Sequence, residues 1–222
     1  MSFLKKRLIM KLDKSALTLY AITNFNFYDS EISITDKLEK AIKGGVTCIQ
    51  LREKSLPHEQ FLIRALLIRK ICKKSNIPFI VNDNLKIAIE SNANGIHIGQ
   101  GDLNISEARK LIGNKILGVS VQTPDQAVEA EKYGADYLGV GAIFSTQTKK
   151  EASIVSIDTL KKISHDVSIP VVAIGGLNLK NIEKLKNSGI SGIAMSSAIF
   201  SSNDIETQTR NLFNLSKKLI EV

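Results

Sequence analysis

A single (β/α)8 barrel is the fold this sequence predicts, on three observations. Eight short apolar segments rich in Val and Ile alternate with amphipathic segments along the chain, which is the signature of repeated βα units. Each apolar segment is hydrophobic on both faces through its middle, as a parallel strand covered on both sides must be. The residues that finish these segments are polar and charged, whereas those that begin them are mostly Gly, Ala, Thr and Pro. That asymmetry suits a barrel whose strands all deliver their C-terminal ends to one functional face. The chain's 222 residues suffice for a lean example of the fold. A doubly wound open sheet would show the same local pattern, because closure is not a local property.

The expected strands begin at Thr18 (TLYAIT), Cys48 (CIQLRE), Pro78 (PFIVND), Gly95 (GIHIG), Ile116 (ILGVSV), Tyr137 (YLGVGAIF), Pro170 (PVVAIGG) and Gly192 (GIAMSS). Between them lie helical patterns. After Pro57, Phe61, Leu62, Ala65, Leu66 and Ile68 to Ile71 recur near helical spacing. In TPDQAVEAEKYGAD, Pro124 and Asp125 occupy the first turn and Gly134 follows the end. NLKNIEKLKNSGI offers Ile182, Leu185 and a terminating Gly189. Helix, small residue, glycine, then strand recurs at AIKGGVTCI, ESNANGIHI, EKYGADYLGV and KNSGISGIAM, where glycine closes one helix before the next strand. The expectation is one domain over residues 1–222, with residues 1–17 an N-terminal extension across the bottom of the barrel.

Composition narrows the class of function. With 43% hydrophobic residues the chain can build a large core, and no block has a disordered composition. A net charge of +8 invites a nucleic-acid partner,. Yet the lysines are spread along the chain, aromatics make up only 5%, and no base-stacking motif is visible. A solvated, lysine-rich surface accounts for the charge, with a local excess around an anionic small molecule compatible with it. The opening MSFLKKRLIMKLDK lacks the apolar stretch of a secretory signal, and no apolar run is long enough to span a bilayer. Cys48 and Cys72 read as unpaired thiols of a reducing cytoplasm. The expectation is a cytoplasmic protein with no nucleic-acid or membrane partner, its oligomeric state left open, a homo-oligomer included.

The strand ends carry the chemistry. They supply Asn24; Gln50, Arg52 and Lys54; Asn82 and Asp83; Gln100 and Asp102; Ser120 and Gln122; Thr146, Thr148 and Lys149; Gly175 and Gly176; Ser196 and Ser197. In QLREK, strand alternation would put Gln50, Arg52 and Lys54 on one side. A guanidinium fork beside an ammonium suits a diphosphate; a surface ion pair with Glu53 is the plainer alternative. VND and GQGD bring Asp83 and Asp102 to neighbouring strand ends, and two carboxylates beside a diphosphate suit Mg2+. Capping of the helices that follow is the alternative for both. AIGG and the later AMSSAIF fit a phosphate held by backbone N–H groups, although Gly-Gly also eases a tight turn. In IFSTQTKK, the hydroxyls of Thr146 and Thr148 could cradle a phosphate or be ordinary loop polarity. His58, His97 and His165 have no metal-ligand spacing, and His97 reads as a hydrogen-bonded core histidine. No triad is present.

Together, GGVTCIQLREKSL, IPFIVNDNLKIA, GIHIGQGDL, GVSVQTPDQA, DYLGVGAIFSTQTKK and IPVVAIGGLN…GIAMSSAI closely resemble the thiamine phosphate synthase family, from about Leu19 to Phe200. That resemblance implies a (β/α)8-barrel transferase joining hydroxymethylpyrimidine diphosphate to hydroxyethylthiazole phosphate, with Mg2+, to give thiamine phosphate and pyrophosphate. It implies Gln50, Arg52, Lys54 and Asn82 at the pyrimidine diphosphate and Asp83 and Asp102 at the metal. Ser120 and Lys149 would approach the pyrimidine and its leaving group. Thr146, Thr148, Gly176, Ser196 and Ser197 would surround the thiazole phosphate. The implied course is dissociative, with Arg52, Lys54, Ser120 and Lys149 as the catalytic set. Three positions depart from the family pattern: Ser145 stands in place of a common proline, Gln122 where many members carry histidine, and Ser196 in place of an apolar residue. A related thiazole tautomerase would need a histidine base near Gln122. A non-catalytic binder would leave Asp83 and Asp102 unexplained.

Overall fold

The structure is a computed structural model that describes residues 12–24, 31–146 and 153–220. These residues form a closed barrel of eight parallel strands in sequential order. The strands are β1 (Leu19–Ile22), β2 (Cys48–Leu51), β3 (Phe79–Asn82), β4 (Gly95–Ile98), β5 (Ile116–Val121), β6 (Tyr137–Val140), β7 (Val171–Ile174) and β8 (Gly192–Met195). Closure is made by β8 against β1, in the register Leu19 to Ile193, Tyr20 to Ala194 and Ala21 to Met195. The open-sheet alternative is thereby excluded.

Helices α1 (Glu31–Lys43), α2 (His58–Lys74), α3 (Leu85–Glu90), α4 (Ile105–Ile112), α5 (Pro124–Lys132) and α6 (Ile157–Asp166) cover the first six strands. After β7 the helical pattern in NLKNIEKLKNSGI yields only a 3-10 turn, Ile182–Leu185, although both apolar residues are buried as expected. A short α7 (Ser197–Phe200) and a long α8 (Ile205–Ile220) complete the shell. Among the described residues no helix is long and apolar enough to cross a membrane.

Two apolar layers result from the strand alternation. Leu19, Ala21, Ile49, Leu51, Val81, Ile96 and Leu138 point outward and pack with the helices. Tyr20, Cys48, Ile80, Tyr137, Val172 and Ala194 point inward and fill the barrel. A 3-10 turn at Lys14–Leu17, capped by Asp13, closes the N-terminal end, where Leu17 and Leu12 join the interior cluster. Residues 1–11 lie outside the described residues.

The αβ turns follow the expected chemistry with one substitution of role. Gly45, Gly113, Gly134 and Gly189 have positive φ, the conformation that ends a helix. In ESNANGIHI that conformation falls on Asn92, at φ 50°, a residue that tolerates it. Gly95 serves packing there, because a Cβ would collide with the Ile116 carbonyl. Below the barrel, Arg109 donates to the Gly113, Lys115 and Gly134 carbonyls and pairs with Asp136 at 2.5 Å. Asp136 also accepts from Leu117 N at 2.8 Å, so one guanidinium satisfies the orphan carbonyls where α4, β5 and β6 meet.

Candidate active site

The C-terminal mouth gathers the predicted residues unevenly. Strand β2 ends at Leu51, and Arg52 and Lys54 follow in the loop beyond it. Gln50 is buried inside the barrel and donates from Nε2 to the Tyr20 hydroxyl at 2.9 Å. Arg52 is half-buried, with its backbone N–H given to Thr23 Oγ1 at 3.1 Å; among the described residues its guanidinium has no ion-pair partner. Lys54 reaches across to Asp83, Nζ to Oδ2 3.3 Å. Glu53 turns away from the mouth and pairs with Arg64 of α2.

Asp83 follows β3 in a left-handed conformation, φ 59°, its N–H held by the His97 carbonyl at 2.8 Å. A non-glycine residue there is locally costly and points to a role beyond connection. Burial and the adjoining Asp102 carboxyl push the Asp83 pKa up, while Lys54 opposes the shift. Asp102 itself is oriented by accepting from Gly99 N–H at 2.6 Å. The capping alternative falls on other residues: Asn84 accepts from Ile87 N and Asn104 from Ser106 N. Two adjoining carboxylates whose like charge raises the pKa of one are a fit for a hard divalent cation, which needs no more than two carboxylates when phosphate oxygens and water complete its shell. Among the described residues no group of three or more metal-ligating acids, histidines or cysteines occurs, so such an ion would depend on a bound phosphate.

On the far side of the mouth, Ser120 Oγ sits 2.9 Å from His97 Nε2, and the Ser120 carbonyl accepts from Gln100 at 2.7 Å. Gln122 points its amide to the Gly141 and Ser153 carbonyls at 3.4 Å, bridging to the segment after β6. Gly175 and Gly176 have φ 96° and 65°. At Gly176 a Cβ would also meet the Phe144 carbonyl at 2.7 Å, so glycine is required where β6 and β7 exits approach. Asn181 holds the Gly176 carbonyl at 2.8 Å. Ser196 caps α7, its buried Oγ without a hydrogen-bond partner among the described residues. Ser197 opens that helix and is exposed. Asn82, at the tip of β3, is buried, and Thr146 lies at the exit of the β6 connection. Thr148 and Lys149 fall outside the described residues.

Several residues of this end were not singled out from sequence. Tyr20 and Tyr137, inside the barrel, link Gln50 to His97 by hydrogen bonds. Gly118 and Gly139 make room for them: a Cβ at Gly118 would collide with Tyr137 and His97, and one at Gly139 would lie 3.0 Å from the His97 ring. The signal was present, since glycine inside a strand marks a close approach. Arg64 had no such signal.

At the opposite end, a cleft of about 480 Å3 lies between residues 12–16 and the starts of β3 and β5. No lysine or arginine lines it, which makes it unsuited to an anion. Arg52, Lys54, Asp83, Asp102 and the Gly175–Gly176 run all lie at the other end.

The fold and this mouth define the class as a (β/α)8 barrel whose C-terminal face is suited to an anionic small molecule. Comparison with known proteins narrows the class: the family described as thiamine monophosphate synthase matches residues 19–199, and the chain belongs to that family. It is 48% identical over 199 residues to the thiamine-phosphate synthase of Ruminiclostridium cellulolyticum, covering 89% of this chain and 94% of the relative. It is likewise 48% identical over 196 residues to that of Clostridium tetani, with 88% and 93% covered. The solved thiamine phosphate pyrophosphorylase from Pyrococcus furiosus superposes with TM-score 0.85 at 32% identity, covering 93% of this chain and 98% of that one. The activity is therefore that of a thiamine-phosphate synthase, a transferase.

Proposed function

We propose that the substrates are hydroxymethylpyrimidine diphosphate and hydroxyethylthiazole phosphate, condensed with release of pyrophosphate at the mouth described above. The observation that carries this reading is the Lys54–Asp83 contact of 3.3 Å, with Asp102 adjoining and Arg52 two residues from Lys54 on the same loop. An ammonium, a carboxylate pair and a guanidinium at neighbouring strand ends suit a diphosphate and its counterion. Arg52 would grip the diphosphate as a fork, Lys54 would shift from Asp83 toward it, and Asn82 would donate an amide hydrogen. Gln50 and Ser120 would face the pyrimidine ring.

Asp83 and Asp102 would hold Mg2+, which when bound supplies charge neutralisation to the diphosphate. Arg52, Lys54 and Lys149 stabilise negative charge as pyrophosphate departs, so the C–O bond breaks before the thiazole nitrogen attacks. The pyrimidine amino group stabilises the cation left behind. Ser196, Ser197, Gly176, Thr146 and Thr148 would hold the thiazole phosphate and thereby aim its ring nitrogen at that cation. No general base is required, in keeping with Gln122 at the end of β5. We further read the compartment as the cytoplasm, on two buried free thiols,.

The test is turnover of both substrates with Mg2+, following thiamine phosphate by fluorescence after oxidation, with EDTA and Lys149→Ala as controls. Product that requires both substrates and the metal supports the reading. Turnover that survives EDTA would remove the metal from it, and no product from folded protein would remove the substrate assignment.

A further inference from the structure

A hydrogen-bonded chain runs through the barrel interior from β2 to β5. Gln50 Nε2 lies 2.9 Å from Tyr20 Oη, Tyr20 Oη 2.9 Å from Tyr137 Oη, and Tyr137 Oη 2.9 Å from His97 Nδ1. His97 Nε2 completes it at 2.9 Å from Ser120 Oγ. Gln50, Tyr20, Tyr137 and His97 are at most 7% exposed, so each donor has to be satisfied within the barrel.

Donor chemistry gives the chain a direction. An amide nitrogen only donates, so Tyr20 accepts from Gln50. Either phenol could give the hydrogen between Tyr20 and Tyr137. With Tyr20 already accepting from Gln50 and the Cys48 thiol beside it a weak acceptor, every donor is used when Tyr20 donates to Tyr137 and Tyr137 donates to His97 Nδ1. Burial raises both phenol pKa values well above the ordinary tyrosine range, so neither proton is lost at neutral pH. An imidazole that accepts at Nδ1 carries its proton on Nε2, and it donates there to Ser120 Oγ. Ser120 is left with its own hydroxyl hydrogen for a partner outside the chain.

We propose that His97 is a positioning residue: held as the Nε2–H tautomer by Tyr137, it occupies the Ser120 lone pair and aims the Ser120 hydroxyl hydrogen into the mouth. This rests on the reading that places Ser120 at the pyrimidine substrate. The same chain ties Ser120 to Gln50 on the other side of the barrel, so both polar groups facing the ring are oriented together. Gly118 and Gly139 are glycine because the His97–Tyr137 pair fills the space a Cβ would need.

The test uses steady-state kinetics on the intact protein. In His97→Gln the side-chain amide can reproduce the Nε2–H donor; in His97→Asn the donor toward Ser120 is gone. His97→Asn is expected to lose about tenfold in kcat, the value of one hydrogen bond, with little change in KM for the diphosphate substrate. His97→Gln is expected to recover most of that loss. Combined with Ser120→Ala, His97→Asn should add nothing further, since it acts through the missing hydroxyl. Tyr137→Phe, which keeps the ring volume, should show the same dependence on Ser120 and serves if the histidine variants do not fold. Equal losses for Gln and Asn, or multiplicative losses in the Ser120→Ala background, would overturn the proposal. So would an Nδ1–H tautomer for His97 in 15N NMR of the wild-type protein. Wild-type turnover, measured first, tests the substrate reading separately, and the NMR measurement stands without it.

Discussion

Glu53 and Arg64 form an ion pair of 2.6 Å with only 2% and 15% of their side chains exposed, directly behind the loop that presents Arg52 and Lys54. The pair anchors that loop to α2, and Glu53 cannot follow Lys54 into solvent. Removing one partner of a buried pair leaves the other desolvated, at a cost of about 3 kcal/mol. Arg64→Leu is therefore expected to lower Tm by roughly 6–12 °C for a chain of this size. It should also raise KM for the diphosphate substrate while leaving that for the thiazole phosphate nearly unchanged. Calorimetry and two-substrate kinetics check both, and an equal rise in both KM values would show that Glu53–Arg64 does not act on this loop.

The carboxylate pair makes a prediction of opposite sign for stability. The Asp83 pKa is raised by burial and by Asp102, so its contribution is favourable below the ordinary carboxylate pKa and lost as pH rises through the raised value. At neutral pH the Asp83 carboxylate therefore works against folding. Asp83→Asn, which tolerates the positive φ, is expected to melt above wild type in EDTA. With magnesium and pyrophosphate near 100 times their Kd, wild type should gain roughly 5–10 °C, and the variant should gain little. Its turnover should fall at least about thirtyfold, the equivalent of about 2 kcal/mol. Melting curves with and without the ligands decide the point.

Gly118 has no room for a methyl group, since a Cβ would strike the Tyr137 and His97 side chains. Gly118→Ala is expected to cost about 1–3 kcal/mol through overpacking, seen as a lower Tm. Because the displaced groups lead to Ser120, kcat should fall as well. Unchanged kcat in a destabilised variant would separate packing from positioning.

Gly176 combines φ 65° with a backbone position where a Cβ would lie 2.7 Å from the Phe144 carbonyl oxygen. Gly176→Ala is expected to raise KM for the thiazole phosphate about tenfold or more, given a backbone strain of about 1–3 kcal/mol. KM for the diphosphate should hardly move, and kinetics with each substrate varied in turn would show it.

The thiols supply a test of the fold in solution. Burial raises the Cys48 pKa well above the usual thiol range and pushes that of Cys72 up to about 12. Both stay protonated at neutral pH; the stabilising effect of each is complete below the ordinary thiol pKa and lost as pH rises through its raised value, about 12 for Cys72,. Ellman's reagent at pH 8 is expected to find no fast-reacting thiol in the native protein and two in denaturant,. Fast native reaction of either thiol would contradict its burial.

The order of strands and helices was legible from local chemistry, because buried parallel strands and amphipathic helices have different periods and glycines mark the turns between them. The polar character of the mouth was legible for the same reason, since parallel strands deliver their last residues to one end. The substrate class came from whole motifs such as QLREK and GQGD, which no period encodes. Three-dimensional packing decided the rest. Whether the sheet closes depends on β1 finding β8, residues far apart in sequence. How the loop after β2 is anchored depends on Glu53 finding Arg64 on α2. The chain from Gln50 to Ser120 depends on side chains from strands β1, β2, β4, β5 and β6 meeting in the interior, a meeting set by barrel radius and register. A sequence names each donor and acceptor, but only closure brings them within hydrogen-bond reach, and so only the tertiary structure shows that they form one chain.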